Sequence, residues 1–270
     1  MIIYLSSALE SGDLRKNGEE KFQNCIKDSH ILSSFAYHKD GFEKYYPLCK
    51  SLMLDSGAFT IMQSAIKKGG KGNNFDVMDY CKKYANHIKK YNIENFLELD
   101  IEGAYGFEVY KDCLHLLQDI TGREPIYVYH RWRGLDYYKE LVKKYSYVAL
   151  GDVDIVNGHS SQVNYIPWFL DEAHKNNCKV HGLAFTNVRN LAIYPFDSVD
   201  SSTWSAGVRF AQTCRFDGHQ IMKYSHKLPN KLWTQDRSDV LIKDFLEWKK
   251  LQKYFDSEFE PFNNGGVKEK

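Results

Sequence analysis

Short apolar runs rich in β-branched and aromatic residues recur along the chain, and most are followed by stretches whose apolar positions return every three or four residues. The runs cover 2–5, 31–37, 51–55, 95–100, 125–130, 147–152, 179–185 and 195–200. Near-continuous apolar runs of this length fit strands buried on both faces, as in a parallel sheet. In 73–91 the residues Val77, Cys81, Tyr84, Ile88 and Tyr91 fall on one helical face, and in 105–120 Val109, Cys113, Leu116, Leu117 and Ile120 do the same. A helix over 160–177 opens on Ser160 or Ser161, either of which suits an N-cap, and Leu241, Phe245, Trp248 and Phe255 mark a final helix over 237–255. Eight strands alternating with helices predict an α/β fold, a (β/α)8 TIM barrel that is irregular in its first two units and has C-terminal helices. One domain is expected over 1–258, with a flexible tail over 259–270; an open doubly wound sheet is the alternative.

Barrel enzymes carry their chemistry at the C-terminal ends of the strands. Those ends here are Asp55, Asp100, His130, Gly151-Asp152, His181-Gly182 and Asp200. Asp often follows a strand simply as a turn former. Several carboxylates at one mouth repel each other, however, and that cost points to chemistry that uses them. Two carboxylates suit glycosyl transfer, one attacking the anomeric carbon and the other moving a proton. The turn after Asp55 adds Ser56, Gly57 and Ala58, small enough for a flat ligand to approach the backbone, and the ring of Phe59. That set fits a planar heterocycle.

Composition narrows the partners. Formal net charge is +1, so binding to nucleic acid must use a local basic patch. The candidates are Lys67, Lys68 and Lys71 on a Gly-rich loop, Arg131 and Arg133 with Trp132 between them to stack on a base, and Lys223, Lys227 and Lys231. Each Lys also fits a merely solvated face. The six Cys form no CxxC or CxC pair and read as reduced thiols of a cytoplasmic protein. No signal peptide or membrane-spanning run is expected, and no HxH or HExxH pair suggests a metal.

"DSGAFT" (55–60) resembles the DSGGFQ signature of the tRNA-guanine transglycosylase superfamily, and the resemblance continues in order through "FLELDIEG", "YVALGD" and "VHGLAFTNVRNLAIYPFDSVDSSTW" over about 50–205. It implies a covalent mechanism with Asp200, the second acid of a D-x-x-D pair that begins at Asp197, as nucleophile and Asp55 as general acid/base. Asp100, His130 and the backbone of Gly151 would then orient the base, with Phe59 stacked on it. Ser56, Asp152, His181 and Gly182 are further substrate-binding candidates; His181 also fits a structural role, and Trp204 a place beneath the mouth. tRNA-acting members carry a CxCxxC…H zinc site after the nucleophile, whereas this chain has only Cys214, His219 and His226 there. In that respect it looks like the compact, zinc-free 7-deazaguanine DNA transglycosylases of phages and bacteria. The expected partners are therefore DNA before tRNA and a free 7-deazaguanine base of the preQ0 or preQ1 kind, with no cofactor. A nucleoside or glycoside hydrolase on the same barrel, and a non-catalytic nucleic-acid-binding subunit, are the competing readings.

Overall fold

The computed structural model describes residues 1–16, 18–37, 41–58, 60, 75–151, 165–185, 191–225 and 236–258. Eight parallel strands follow one another around a barrel: β1 (Ile2–Ser6), β2 (His30–Ser34), β3 (Ser51–Asp55), β4 (Asn95–Phe96), β5 (Tyr127–Tyr129), β6 (Tyr147–Leu150), β7 (Lys179–Gly182) and β8 (Ser198–Ser201). β1 pairs with both β2 and β8. The remaining seam closes where Leu97 bridges Ile126 in parallel, flanked by Ile126 N–H to Phe96 O at 2.8 Å and Glu98 N–H to Ile126 O at 3.1 Å. The expected barrel is thus present, although β4 is much shorter than its run of 95–100.

Helices cover the outside. The first two units are irregular, as the sequence suggests: α1 (Gly12–Arg15) and α2 (Glu19–Ile26) follow β1, and a single turn, α3 (Phe42–Tyr45), follows β2. Later units carry α4 (Val77–Tyr91), α5 (Glu102–Tyr105) with α6 (Phe107–Thr121), α7 (Leu135–Lys144) and α8 (Ile166–Lys175). α4 begins at an Asp76 cap, whose carboxylate accepts the Asp79 N–H at 2.9 Å. After β8 the chain makes an antiparallel hairpin, β9 (Gln212–Phe216) and β10 (Ile221–Ser225), and the described residues close with α9 (Arg237–Glu258). The hairpin has no counterpart in the apolar pattern. α9 buries Leu241, Phe245, Trp248 and Phe255, the residues that predicted it.

Strand alternation divides the core. Tyr4, Leu32, Met53, Leu97, Val128 and Ala149 fill the barrel interior. The larger core lies between strands and helices. Where the ladder is incomplete, side chains finish it. The Gln252 amide donates to Ile3 O and His30 O at 2.7 Å each, below the first β1–β2 pair. Asp197 accepts Val180 N–H at 2.7 Å and meets His174 Nε2 at 3.0 Å, joining β7, β8 and α8. At the closing seam Glu98 Oε1 accepts Val128 N–H at 2.9 Å and Oε2 accepts the Tyr110 hydroxyl at 2.6 Å.

Burial pushes the Glu98 carboxyl up to about 7 from an ordinary 4.5. An acid that holds its proton more tightly when folded contributes stability that is complete below its unfolded value and is lost as pH rises through its folded one. Stability should therefore fall between about pH 4.5 and 7, at no more than about 1.4 kcal/mol for each step of one in pH and by a few kcal/mol in all. Urea unfolding across that range checks this: Glu98→Gln should flatten part of the slope. Glu98→Ala, which orphans Val128 N–H and the Tyr110 hydroxyl, should cost about 2–4 kcal/mol.

Candidate active site

Two residues above the apolar interior layer, the same alternation brings polar groups to the C-terminal mouth. Tyr4 is followed by Ser6, Leu32 by Ser34, Met53 by Asp55, Val128 by His130 and Ala149 by Gly151. Around the rim these run from Asp200 on β8 through Ser6, Ser34 and Asp55 to Asp100 and His130 at the closing seam.

The two acids expected to be catalytic sit three strands apart on the rim, and each is bonded by a serine from the neighbouring strand. Ser6 Oγ donates to Asp200 Oδ2 at 2.6 Å, and the Ser34 hydroxyl bonds the Asp55 carboxylate. Asp200 Oδ1 accepts the Ala184 N–H at 2.6 Å. Ala184 has a φ of 52°, a left-handed conformation uncommon for Ala, and it stands where the chain leaves β7 beside the acid. Asp55 Oδ2 accepts the Gly57 N–H at 3.1 Å, a tight Asx-type turn. Burial pushes the Asp55 carboxyl up to about 6. The bonds from Ser34 and Gly57 work against that rise, and the charges of Asp200 and Asp100 add to it. The three carboxylates therefore share one electrostatic environment, as expected of groups at one mouth.

The Asp-Ser-Gly turn has a steric cause. Gly57 has a φ of +76°, and a Cβ there would lie 2.3 Å from the Ala36 Cβ. Tyr80 holds the turn from outside, its hydroxyl donating to Ser56 O at 2.7 Å. The Tyr84 hydroxyl lies between Leu54 O and Leu97 O, at 3.1 and 2.8 Å, tying β3 to the closing seam. On the far side of that seam His130 Nε2 meets Asp100 Oδ2 at 2.5 Å. Gly151 leaves room for this ring, because a Cβ there would lie 2.6 Å from His130 Cε1. Trp132, 59% exposed, lies nearly parallel to His130 with centroids 6.1 Å apart. Arg131, exposed beside it, packs over the ring of Tyr165 at 4.8 Å.

Several sequence expectations need correction. Arg133 does not face nucleic acid. Its side chain is 6% exposed, paired with Glu102 at 2.6 Å and drawn among the rings of Tyr110 and Tyr137. Ser56 is buried beneath the turn. Gly182 faces outward, and a Cβ there would press on the Phe196 ring at 3.0 Å, so its smallness serves packing. His181 is wholly buried below Asp200 and does not reach the mouth as a substrate-binding residue. Asp197 is absorbed by the β7–β8 seam, which leaves Asp200 as the acid of the pair nearest the mouth. Trp204 is buried as expected, donating its indole N–H to Ser6 O at 2.9 Å. Phe59, Lys67, Lys68, Lys71, Asp152, Ser160, Ser161, His226, Lys227 and Lys231 lie outside the described residues.

Sequence reading missed Ser6 and Ser34, although both follow an inward apolar residue at the two-residue period. Among the described residues no three His, Cys, Asp or Glu side chains form a metal-holding group, and no helix is long and apolar enough to cross a membrane. The chain matches no protein-family model and no curated protein.

Two glycine substitutions probe this geometry. Gly57→Ala should destabilise the fold by about 2 kcal/mol or more, read as a fall in Tm, because it adds both a clash and left-handed strain. Gly151→Ala should push His130 off Asp100, seen as a shift of the His130 ring signals by NMR.

Proposed function

We propose that the protein is a base-exchange transglycosylase, replacing guanine in nucleic acid, DNA before tRNA, with a 7-deazaguanine through a covalent glycosyl–Asp200 intermediate. What supports this most is the unequal treatment of two acids at one mouth. Asp55 is pushed up to about 6 and so can hold a proton near neutrality. Asp200 is gripped by Ser6 and Ala184, which fix the direction of its oxygens. Carboxylates whose surroundings differ in this way take different roles, one in proton transfer and one in attack.

In the first half of the reaction an Asp200 oxygen bonds to C1′ as the C1′–N9 bond breaks, and the bonding pair leaves with the base. Asp55 gives its proton to the departing guanine. The anionic carboxylate beside C1′ stabilises the oxocarbenium character of the transition state. In the second half Asp55 takes a proton from the incoming 7-deazaguanine. The nitrogen of that base attacks C1′ and the Asp200 carboxylate is released. Two inversions give net retention. Asp100 and His130 form the hydrogen-bonding edge for the base. The target nucleotide must be unstacked to reach them, and exposed Trp132 offers a face for its neighbour.

Incubation with labelled guanine and, in separate arms, single-stranded DNA, duplex DNA and tRNA tests the reading. Label in polymer and an adduct on Asp200 are expected, both absent in Asp200→Asn. Free base without incorporation would instead assign a hydrolase with water as acceptor. The base-departure step should slow about tenfold for each step of one in pH above about 6, because Asp55 must arrive protonated. Asp55→Asn should lower the rate by at least about 100-fold and abolish that limb. Trp132→Ala should weaken binding of single-stranded DNA about tenfold with little effect on the chemical step.

A further inference from the structure

Beneath Asp200 lies a row of buried polar groups that the reaction above leaves unused. β7 and β8 pair His181 with Ser198 in register, and Ser198 and Asp200 share the inner face of β8 two residues apart. His181 is 0% exposed. Its Nδ1 lies 2.5 Å from Ser198 Oγ, which in turn lies 2.5 Å from the Tyr147 hydroxyl. Its Nε2 lies 3.4 Å from Asp200 Oδ1 and makes no hydrogen bond, so among the described residues it is a buried ring nitrogen facing the acid without a partner. The Tyr4 ring stands edge-on to the imidazole, with centroids 6.0 Å apart.

Donor accounting orders this row. A carboxylate only accepts, so the ring nitrogen facing it must carry hydrogen. In a neutral imidazole Nδ1 is then the acceptor. In that tautomer Ser198 donates to Nδ1 and its oxygen is left to accept from the Tyr147 hydroxyl. The row ends beside one oxygen of the acid.

The geometry points to His181 as a positioning residue whose unpartnered Nε2, beside the Ala184 N–H, closes onto Asp200 Oδ1 during the reaction, so that Oδ2 is the oxygen that attacks. This rests on the reading of Asp200 as nucleophile. Oδ1 accepts from Ala184 N at 2.6 Å and has the unpartnered His181 Nε2 3.4 Å away, while Oδ2 accepts from Ser6. When Oδ2 bonds to C1′, Oδ1 becomes the carbonyl oxygen of the glycosyl ester. As charge returns to that oxygen, the Ala184 N–H and the adjacent His181 Nε2–H, closing onto it, draw electron density from the ester and make the carboxylate a better leaving group for the second half. His181 thus governs release of the intermediate and touches neither base nor sugar.

The test has two arms. In the free wild-type protein, nitrogen-15 NMR at a pH where the ring is neutral should show the Nε2–H tautomer of His181, and Asp200→Asn should shift its ring signals. A protonated Nδ1, or signals unmoved by Asp200→Asn, would overturn the inference whether or not the protein turns over. In single-turnover base exchange, His181→Leu should slow resolution of the Asp200 adduct about 100-fold, so that adduct accumulates, while KM for the incoming base changes less than about threefold. His181→Gln, which returns a donor near the Nε2 position, should recover at least about tenfold of that loss. Equal slowing of both halves in a folded His181→Leu protein would reduce His181 to a packing residue. Should His181→Leu fail to fold, the Gln variant and the wild-type tautomer decide. If wild type gives no exchange and no adduct on any nucleic acid, the proposed reaction fails, and the NMR arm still reports on the His181–Asp200 contact.

Discussion

The structure depends on closing an eight-stranded ring at its weakest seam. β4 contributes two ladder residues and β5 three, and the two strands meet through the single Leu97–Ile126 bridge. A carboxylate completes that contact. Glu98 carries the Val128 N–H that a longer β4 would have taken with a backbone carbonyl, and the Tyr110 hydroxyl fills its other oxygen. Taking an acid out of water is costly unless its lone pairs are satisfied. Here the burial raises its proton affinity while two donors and the nearby Arg133 act against that rise. Asp100 and His130 stand just above this seam. Without closure they would have no fixed relation to Asp55 and Asp200.

Acids in this chain fall into two kinds that sequence alone does not separate. Glu98 and Asp197 mend gaps in the backbone ladder, whereas Asp100 and Asp200, two and three residues later along the same segments, face the opening. Each mending acid thus anchors the segment that presents its neighbour. The serines play an equivalent part from the adjacent strands, so that both proposed reactive groups are gripped from the side.

Much of this is legible in the chain because buried parallel strands carry a strong signal. The runs at 2–5 and 51–55 coincide with β1 and β3 almost residue for residue, the run at 147–152 begins with β6 and outruns it by two residues, and Asp55 and Asp200 fall at the mouth end of their strands. The errors have physical causes. β9 and β10 escape the apolar pattern because most of their side chains face solvent and form no apolar run. His181 and Gly182 both read as mouth residues, yet the two-residue period of a strand sends one into the barrel and the other toward the helices. Arg133 looks like part of a basic patch until the acids at 98 and 102 are seen to pull it inward. No local pattern announces such a partner thirty residues upstream. The ladder-filling role of Gln252 is still less readable, since it joins segments almost the full barrel apart.

That last contact bears on how the molecule is made. Ile3 and His30 emerge from the ribosome early, and the amide that occupies their carbonyls arrives some 220 residues later than His30. The Ser6–Asp200 bond joins residues 194 apart in the same manner. Nascent β1 and β2 must therefore wait, partly unsatisfied, until the final helix is synthesised. Such non-local pairing slows folding and prolongs exposure of strand edges. α9 is in this sense the latch that ends this exposure to aggregation.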